Sequence, residues 1–129
     1  MANVPDDLRY TTDHEWVRQT ADTGVIEIGI TEYAQGELGD VVFVNLPKVG
    51  EAFALHQAFG TIEAVKAVSD LFCPLPGTVA AVNTGLDADP ALVNKAPYGD
   101  GWMIRLKLTD PAQLPTLLTA AAYRSHIGA

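Results

Sequence analysis

The sequence predicts a mainly β domain, a sandwich or barrel rather than a set of parallel βαβ units, on three observations. Short apolar runs alternate with period two, Gly and Pro separate them at short intervals, and helical periodicity is confined to brief segments and one stretch near the C-terminus. At 129 residues the chain is long enough to bury one adequate core without disulfides or a metal, so a single domain, residues 1–129, is expected.

From the N-terminus, Val25 to Ile30 sets Ile26, Ile28 and Ile30 against Glu27 and Gly29, the pattern of a strand with one wet face. Thr31 is placed to cap a short turn through Gln35. Val41 to Leu46 is apolar at nearly every position, which predicts a strand covered on both faces, ended by Pro47 and turned by Gly50. Phe53 to His56, Gly60 to Val65 and Thr78 to Asn83 are shorter strand candidates. Asp89-Pro90 has the form of a cap followed by a first-turn proline, for a brief helix through Asn94. Trp102 to Leu108 is a strand with Trp102, Ile104, Leu106 and Leu108 inward and Met103, Arg105 and Lys107 outward. Leu114, Leu117, Leu118, Ala121 and Ala122 recur at helical spacing. That helix has two possible starts, because Asp110-Pro111 with Gln113 forms a capping box while Pro115 would lose a backbone bond inside it.

Composition narrows function. The formal charge is −8, with apolar residues at 48% and charged residues at 19%, a folded acidic protein whose surface repels phosphate backbones and anionic membranes. Nucleic acid and membrane are therefore not expected partners. Cys73 is the lone cysteine, which rules out an intrachain disulfide or a cysteine zinc site and fits a reducing compartment. Met1 to Tyr10 lacks the basic and apolar regions of a secretory signal, and no segment reaches transmembrane length, so a cytoplasmic protein is expected.

The informative segment is Gly60 to Val79, GTIEAVKAVSDLFCPLPGTV. Lys66 is its only basic residue, and the only one between Lys48 and Lys95. Small and β-branched residues (Ala64, Val65, Ala67, Val68) flank it closely, and Glu63 and Asp70 lie farther out. A lysine displayed at a hairpin tip needs such neighbours, which stiffen the turn and leave the amine reachable. The default for any lysine is a solvated surface charge. His14, His56 and His126 are isolated along the chain and give no metal-binding spacing, so no metal is expected. Cys73 reads as a small buried hydrophobe. No nucleophile–base context, phosphate loop or nucleotide fingerprint occurs, which argues against independent catalysis.

The run EAVKAVSD followed by a proline and glycine turn resembles the attachment hairpin of lipoyl and biotinyl carriers, in which a ligase acylates the tip lysine. Four further blocks resemble the glycine cleavage H-protein family in order: YTTDHEWV at 10–17, GITEYAQ at 29–35, LGDVVFVNLP at 38–47 and NKAPYGDGW at 94–102. The resemblance covers residues 8–123, the expected core of the domain. It implies a lipoyl-type β-sandwich, or hybrid barrel, with short helices and a C-terminal helix packed outside.

For Lys66 the resemblance implies covalent lipoic acid, carried as N6-lipoyllysine on a long arm that visits several active sites at high effective concentration. Glu63, Val65 and Ala67 would be read by the lipoate-attaching enzyme, and His14, Glu15 and Asp70 would lie where the loaded arm docks. The implied partners are the P protein (glycine decarboxylase), the T protein (aminomethyltransferase) and the L protein (dihydrolipoyl dehydrogenase), served by a monomeric, non-catalytic carrier of the aminomethyl group. Taken without the resemblance, Glu15 and Asp70 read as solvated carboxylates. Ala64, where the family commonly has serine, echoes the biotin-carrier motif, but the flanking methionines of that motif are replaced by Val65 and Ala67. The alternatives are an H-like lipoyl-relay or regulatory protein, and a biotin carboxyl carrier.

Overall fold

A computed structural model describes residues 3–128. Met1, Ala2 and Ala129, the ends of the expected 1–129 domain, lie outside the described residues. Two antiparallel sheets face each other. The larger has six strands in the order β1 (Arg9–Tyr10), β2 (Glu15–Gln19), β3 (Val25–Ile30), β9 (Ile104–Leu108), β8 (Gly77–Val82) and β5 (Ala52–Phe53). The smaller has three, β4 (Val41–Asn45), β6 (Ala58–Ala64) and β7 (Val68–Phe72). The main core fills the space between them, with Ile26, Ile28, Ile104 and Leu106 from one sheet meeting Val44, Ile62 and Leu71 from the other. This is the expected mainly β sandwich, and among the described residues the two sheets are not joined into a closed barrel.

The outer face of the large sheet is not wet where β3 was expected to be. Glu27 is buried there because Arg18 and Arg105, its register partners on β2 and β9, both clamp its carboxylate at 3.0 Å. Gly29 is covered by the Trp16 indole of the facing strand, so close that a Cβ would stand 2.7 Å from the ring. Trp16 belongs to a second core with Val4, Leu8, Tyr10, Ala120 and Tyr123, closed by helix α4 (Ala120–Ile127).

Helix α1 (Glu32–Leu38) is longer than the expected turn to Gln35. The Thr31 hydroxyl accepts from the Ala34 N–H at its start, and Gly39 ends it with φ of 81°. Two single-turn helices, α2 (Gly85–Ala88) and α3 (Leu92–Lys95), replace the one helix expected from Asp89, which follows the end of α2 instead of capping α3. The C-terminal helix is likewise split. Asp110 caps a 3₁₀ segment, Pro111–Thr116, that contains Pro115, and Leu118 then leaves the helical path to exchange backbone bonds of 2.8 and 2.9 Å with Tyr10 before Thr119 caps α4. β9 starts two residues later than expected, and Met103 is buried rather than outward, its N–H donating to the Ile28 carbonyl at 2.8 Å.

The largest departure is β4. Only Val41 and Val44 are buried, while Val42, Phe43 and Asn45 face solvent. A register shift between Val41 and Phe43 against β6 breaks the alternation and turns two consecutive apolar residues outward. Nothing among the described residues covers the outer face of the three-stranded sheet.

Candidate functional site

β6 and β7 form a hairpin whose last strand pair is Glu63 with Val68, leaving residues 65–67 as its tip. The Ala64 N–H donates to the Ala67 carbonyl at 2.8 Å and closes the turn. A second bond ties the tip to the body, because the Val65 N–H donates to the Asp40 carbonyl at 2.9 Å. Asp40 is itself held. The Asn94 side chain on α3 donates to the Gly39 carbonyl at 2.9 Å and to Gln35 at 2.8 Å, and accepts from the Val41 N–H at 2.9 Å, so both neighbours of Asp40 are fixed by one residue.

Lys66 is exposed at the apex, and none of the ion pairs among the described residues engages its amine. Its stem crosses Gly39, where an added Cβ would lie 3.3 Å from the Lys66 Cγ and Cδ. A glycine is needed there twice over, for the positive φ and for the passage of that side chain. Glu63, Val65 and Ala67 are all exposed around the apex.

One residue before Gly39, Leu38 forms part of the wall of a cleft of about 280 Å³. The cleft runs between α1, the start of β2 and β7. Ile30, Ala34, Leu38, Ile62 and Leu71 give it an apolar lining, and His14, Glu15 and Asp70 bring polar groups to it. The three residues expected at an arm-docking site thus line one cavity, beside the hairpin that carries Lys66.

Their environments differ. Asp70 is exposed at the rim. Glu15 is buried, not solvated: its Oε2 accepts from the Phe72 N–H at 2.8 Å and its Oε1 from the Thr11 hydroxyl at 3.1 Å. It thereby joins β2 of one sheet to the edge strand β7 of the other. Burial pushes the Glu15 carboxyl up to about 8 despite those two bonds, which favour the charged form, and Asp13 adds to the rise. His14 adopts φ of 67°, a left-handed conformation uncommon for a non-glycine residue. Its Nδ1 lies 2.9 Å from the Tyr123 hydroxyl, which bonds Thr31 Oγ1 at 2.7 Å, and Tyr33 and His126 flank the ring. Burial, then the neighbouring His126, hold its pKa below the usual histidine value. Cys73 is buried, its thiol donating to the Leu75 carbonyl and pushed up to about 11 mainly by burial.

Tyr33 and Glu37 also line the cleft, and Gly39 and Asn94 buttress the tip. None of the four stands out in the sequence by residue type. Gly39 had a usable signal, a glycine directly after a capped helical segment. Asn94 had none, since its three bonds reach residues 53 to 59 positions away.

Residues 8–128 match the family model described as glycine cleavage H-protein. The chain is 53% identical over 123 residues to the glycine cleavage system H protein of Symbiobacterium thermophilum, covering 95% of this chain and 94% of that one. It is 54% identical over 128 residues to that of Opitutus terrae, covering 99% and 100%. The crystal structure of a glycine cleavage system H protein from Mycobacterium marinum superposes with a TM-score of 0.87 at 41% identity, over 98% of this chain and 100% of that one.

Proposed function

This chain belongs to the glycine cleavage H-protein family, the lipoyl carriers of the glycine cleavage system, and from that premise we propose that Lys66 is the residue that bears the lipoyl group. One observation carries the assignment. Lys66 alone of the lysines stands at the tip of a hairpin, with its amine unengaged among the described residues and its stem directed over Gly39 beside the cleft. Lys95 faces Asp89 at 3.6 Å, Lys107 lies within β9, and Lys48 follows β4 at the far end of the small sheet.

The cleft fits such a group. At about 280 Å³ it lies near the lower end of small-molecule pockets, and its apolar wall with a few polar atoms suits a slender acyl arm. When bound, the lipoyl disulfide supplies the sulfur chemistry that takes up and passes on the aminomethyl group of glycine. The chain's own residues do the rest. Lys66 provides the amide anchor, and the Val65–Asp40 bond and the Asn94 clamp hold the tip in place. Glu63, Val65 and Ala67 present the lysine to the lipoate-attaching enzyme. His14, Glu15 and Asp70 receive the arm, Glu15 also joining the sheets and His14 held in place by Tyr123.

The same reading makes the protein a non-catalytic, monomeric carrier in the cytoplasm, meeting the P, T and L proteins in turn. A single buried thiol suits a reducing compartment, and no helix among the described residues is long and apolar enough to cross a membrane.

Two measurements test the assignment. Intact mass and peptide mapping of protein from lipoate-replete cells should find one lipoyl adduct, on Lys66, and Lys66→Arg should abolish it while changing stability by no more than about 0.5 kcal/mol. An adduct on another lysine, or none in the wild type, refutes it. For the docking role, acylation should shift the ring proton resonances of His14 while those of His56 stay in place. Unchanged His14 resonances would remove it, and the cleft with it, from the arm's path.

A further inference from the structure

Six large apolar side chains are strongly exposed among the described residues, and four of them surround one end of the small sheet: Val42 at 57%, Phe43 at 48%, Val65 at 73% and Val68 at 67%. Their grouping follows from the register. Phe43 pairs with Glu63 and Glu63 with Val68, so these three side chains form one row across β4, β6 and β7 on the outward face. Val42, pushed out by the irregularity in β4, extends the row, and Val65 continues it to the apex beside Lys66. The exposed carboxylates Asp40 and Glu63 lie in and around this patch, and Lys66 is its only cation. The cleft lies on the other side of the sheet, where Ile62 and Leu71 point inward.

Resting on the assignment of Lys66, we infer that this outward face is the docking surface for the enzyme that acylates the lysine. That enzyme presents an apolar pocket for Phe43 and Val42, rimmed by basic side chains. Whatever modifies the amine must bring its active-site mouth to the tip, so its surface covers what adjoins the tip. On the outward side that is the apolar row. Glu63 within the row and Asp40 beside it call for basic groups opposite, which steer the encounter and fix its orientation. The irregularity in β4 has a use here, since strict alternation from the buried Val44 would leave Phe43 outward but bury Val42 and narrow the patch. Acylation consumes a lipoyl adenylate formed from lipoate and ATP. The Lys66 nitrogen forms an amide to the acyl carbon, the acyl–phosphate bond breaks, AMP and one proton leave, and no redox change occurs.

The test is a steady-state assay with a lipoate–protein ligase, lipoate and ATP, following Lys66 acylation by mass. Val42→Ser with Phe43→Ser should raise KM for the carrier by roughly tenfold or more, as loss of a central aromatic anchor does, with kcat changed by less than about twofold. Both positions are exposed, so the melting temperature should hold. The single variant Phe43→Lys, which adds a charge of the partner's own sign, should raise KM by a similar factor, most strongly at low salt. A KM within about twofold of wild type for both variants, with Lys66 still acylated, overturns the docking surface. So does a wild-type dimer that Phe43→Ser dissociates while KM stays put, since a second copy would then be the occupant. Failure of wild-type Lys66 to be acylated overturns the lysine assignment instead, and the two failures are read from different columns of one experiment.

Discussion

Replacing Asn94 by Ala removes a clamp that the hairpin tip depends on without touching the tip. Asn94 accepts from the Val41 N–H and donates to the Gly39 carbonyl and to Gln35. Val41 is only 4% exposed, so its N–H is left without a partner, at a cost of about 1–3 kcal/mol. The half-buried Gly39 carbonyl loses an ordinary hydrogen bond, worth about 0.5–1.5 kcal/mol, and Gln35 turns to water at little cost. Together these give a loss of about 1.5–4.5 kcal/mol, which for a domain of this size lowers the melting temperature by roughly 5–17 °C. The local effect is more diagnostic. Asp40 lies between the two freed residues and accepts from the Val65 N–H, so the tip loosens with it. Hydrogen exchange at the Val65 amide should speed by about tenfold or more beyond the change at Ile28, because more than about 1.4 kcal/mol of local support has gone. A melting temperature within about 2 °C of wild type, or a Val65 amide no faster than the global change requires, would show that the tip is held by something other than this clamp.

Two further substitutions probe the site. Gly39→Ala places a side chain at φ of 81° and a Cβ 3.3 Å from the Lys66 stem. It should cost about 1–2 kcal/mol in urea unfolding, and it should slow acylation of Lys66 more than the stability loss explains, an outcome that equal rates would refute. Glu15→Gln should alter the pH dependence of stability. Because the folded carboxyl is raised to about 8 from 4.5, the native state holds a proton that the unfolded chain has released across that window. This group's contribution is therefore fully present below about 4.5 and declines as pH rises toward 8. Gln cannot ionise, so the stability of the variant relative to wild type should climb between those two limits, and a flat difference across them would place the Glu15 carboxylate in a more polar setting than its burial indicates.

Much of the fold was legible because its main signals are local. Ile26, Ile28 and Ile30 alternate as a strand must, Thr31 caps the helix that follows it, and Lys66 stands out by charge alone in its segment. The misses came where a distant element decides the environment. Nothing in Val25 to Ile30 announces that Arg18 and Arg105 would bury Glu27, or that the Trp16 ring would lie on Gly29. Leu117 and Leu118 have helical spacing, yet Tyr10 draws Leu118 into a bridge more than a hundred residues away along the chain. The strands β1, β2 and β7 are polar or short, and their pairing is set by their neighbours β2, β3 and β6 in turn rather than by their own periodicity.

Around the lysine, three departures from simple sequence rules lie close together, and that carries information of its own. A carboxyl group is buried at Glu15, a histidine takes φ of 67° at His14, and an apolar strand leaves Val42 and Phe43 in water. Each costs stability by itself, through desolvation, backbone strain or exposed apolar area. Polar groups elsewhere are satisfied, Glu27 being doubly paired and no buried side-chain nitrogen or oxygen among the described residues lacking a partner, and the other outliers, His56 at φ of 65° and the exposed Val49 and Leu55, sit in the short connections between β4, β5 and β6. A fold that satisfies its polar groups so completely is not short of ways to avoid these three costs. Their concentration on the two faces of one small sheet, the cleft side with Glu15 and His14 and the open side with Phe43, is what a carrier requires if its arm must shelter on one side while an enzyme grips the other.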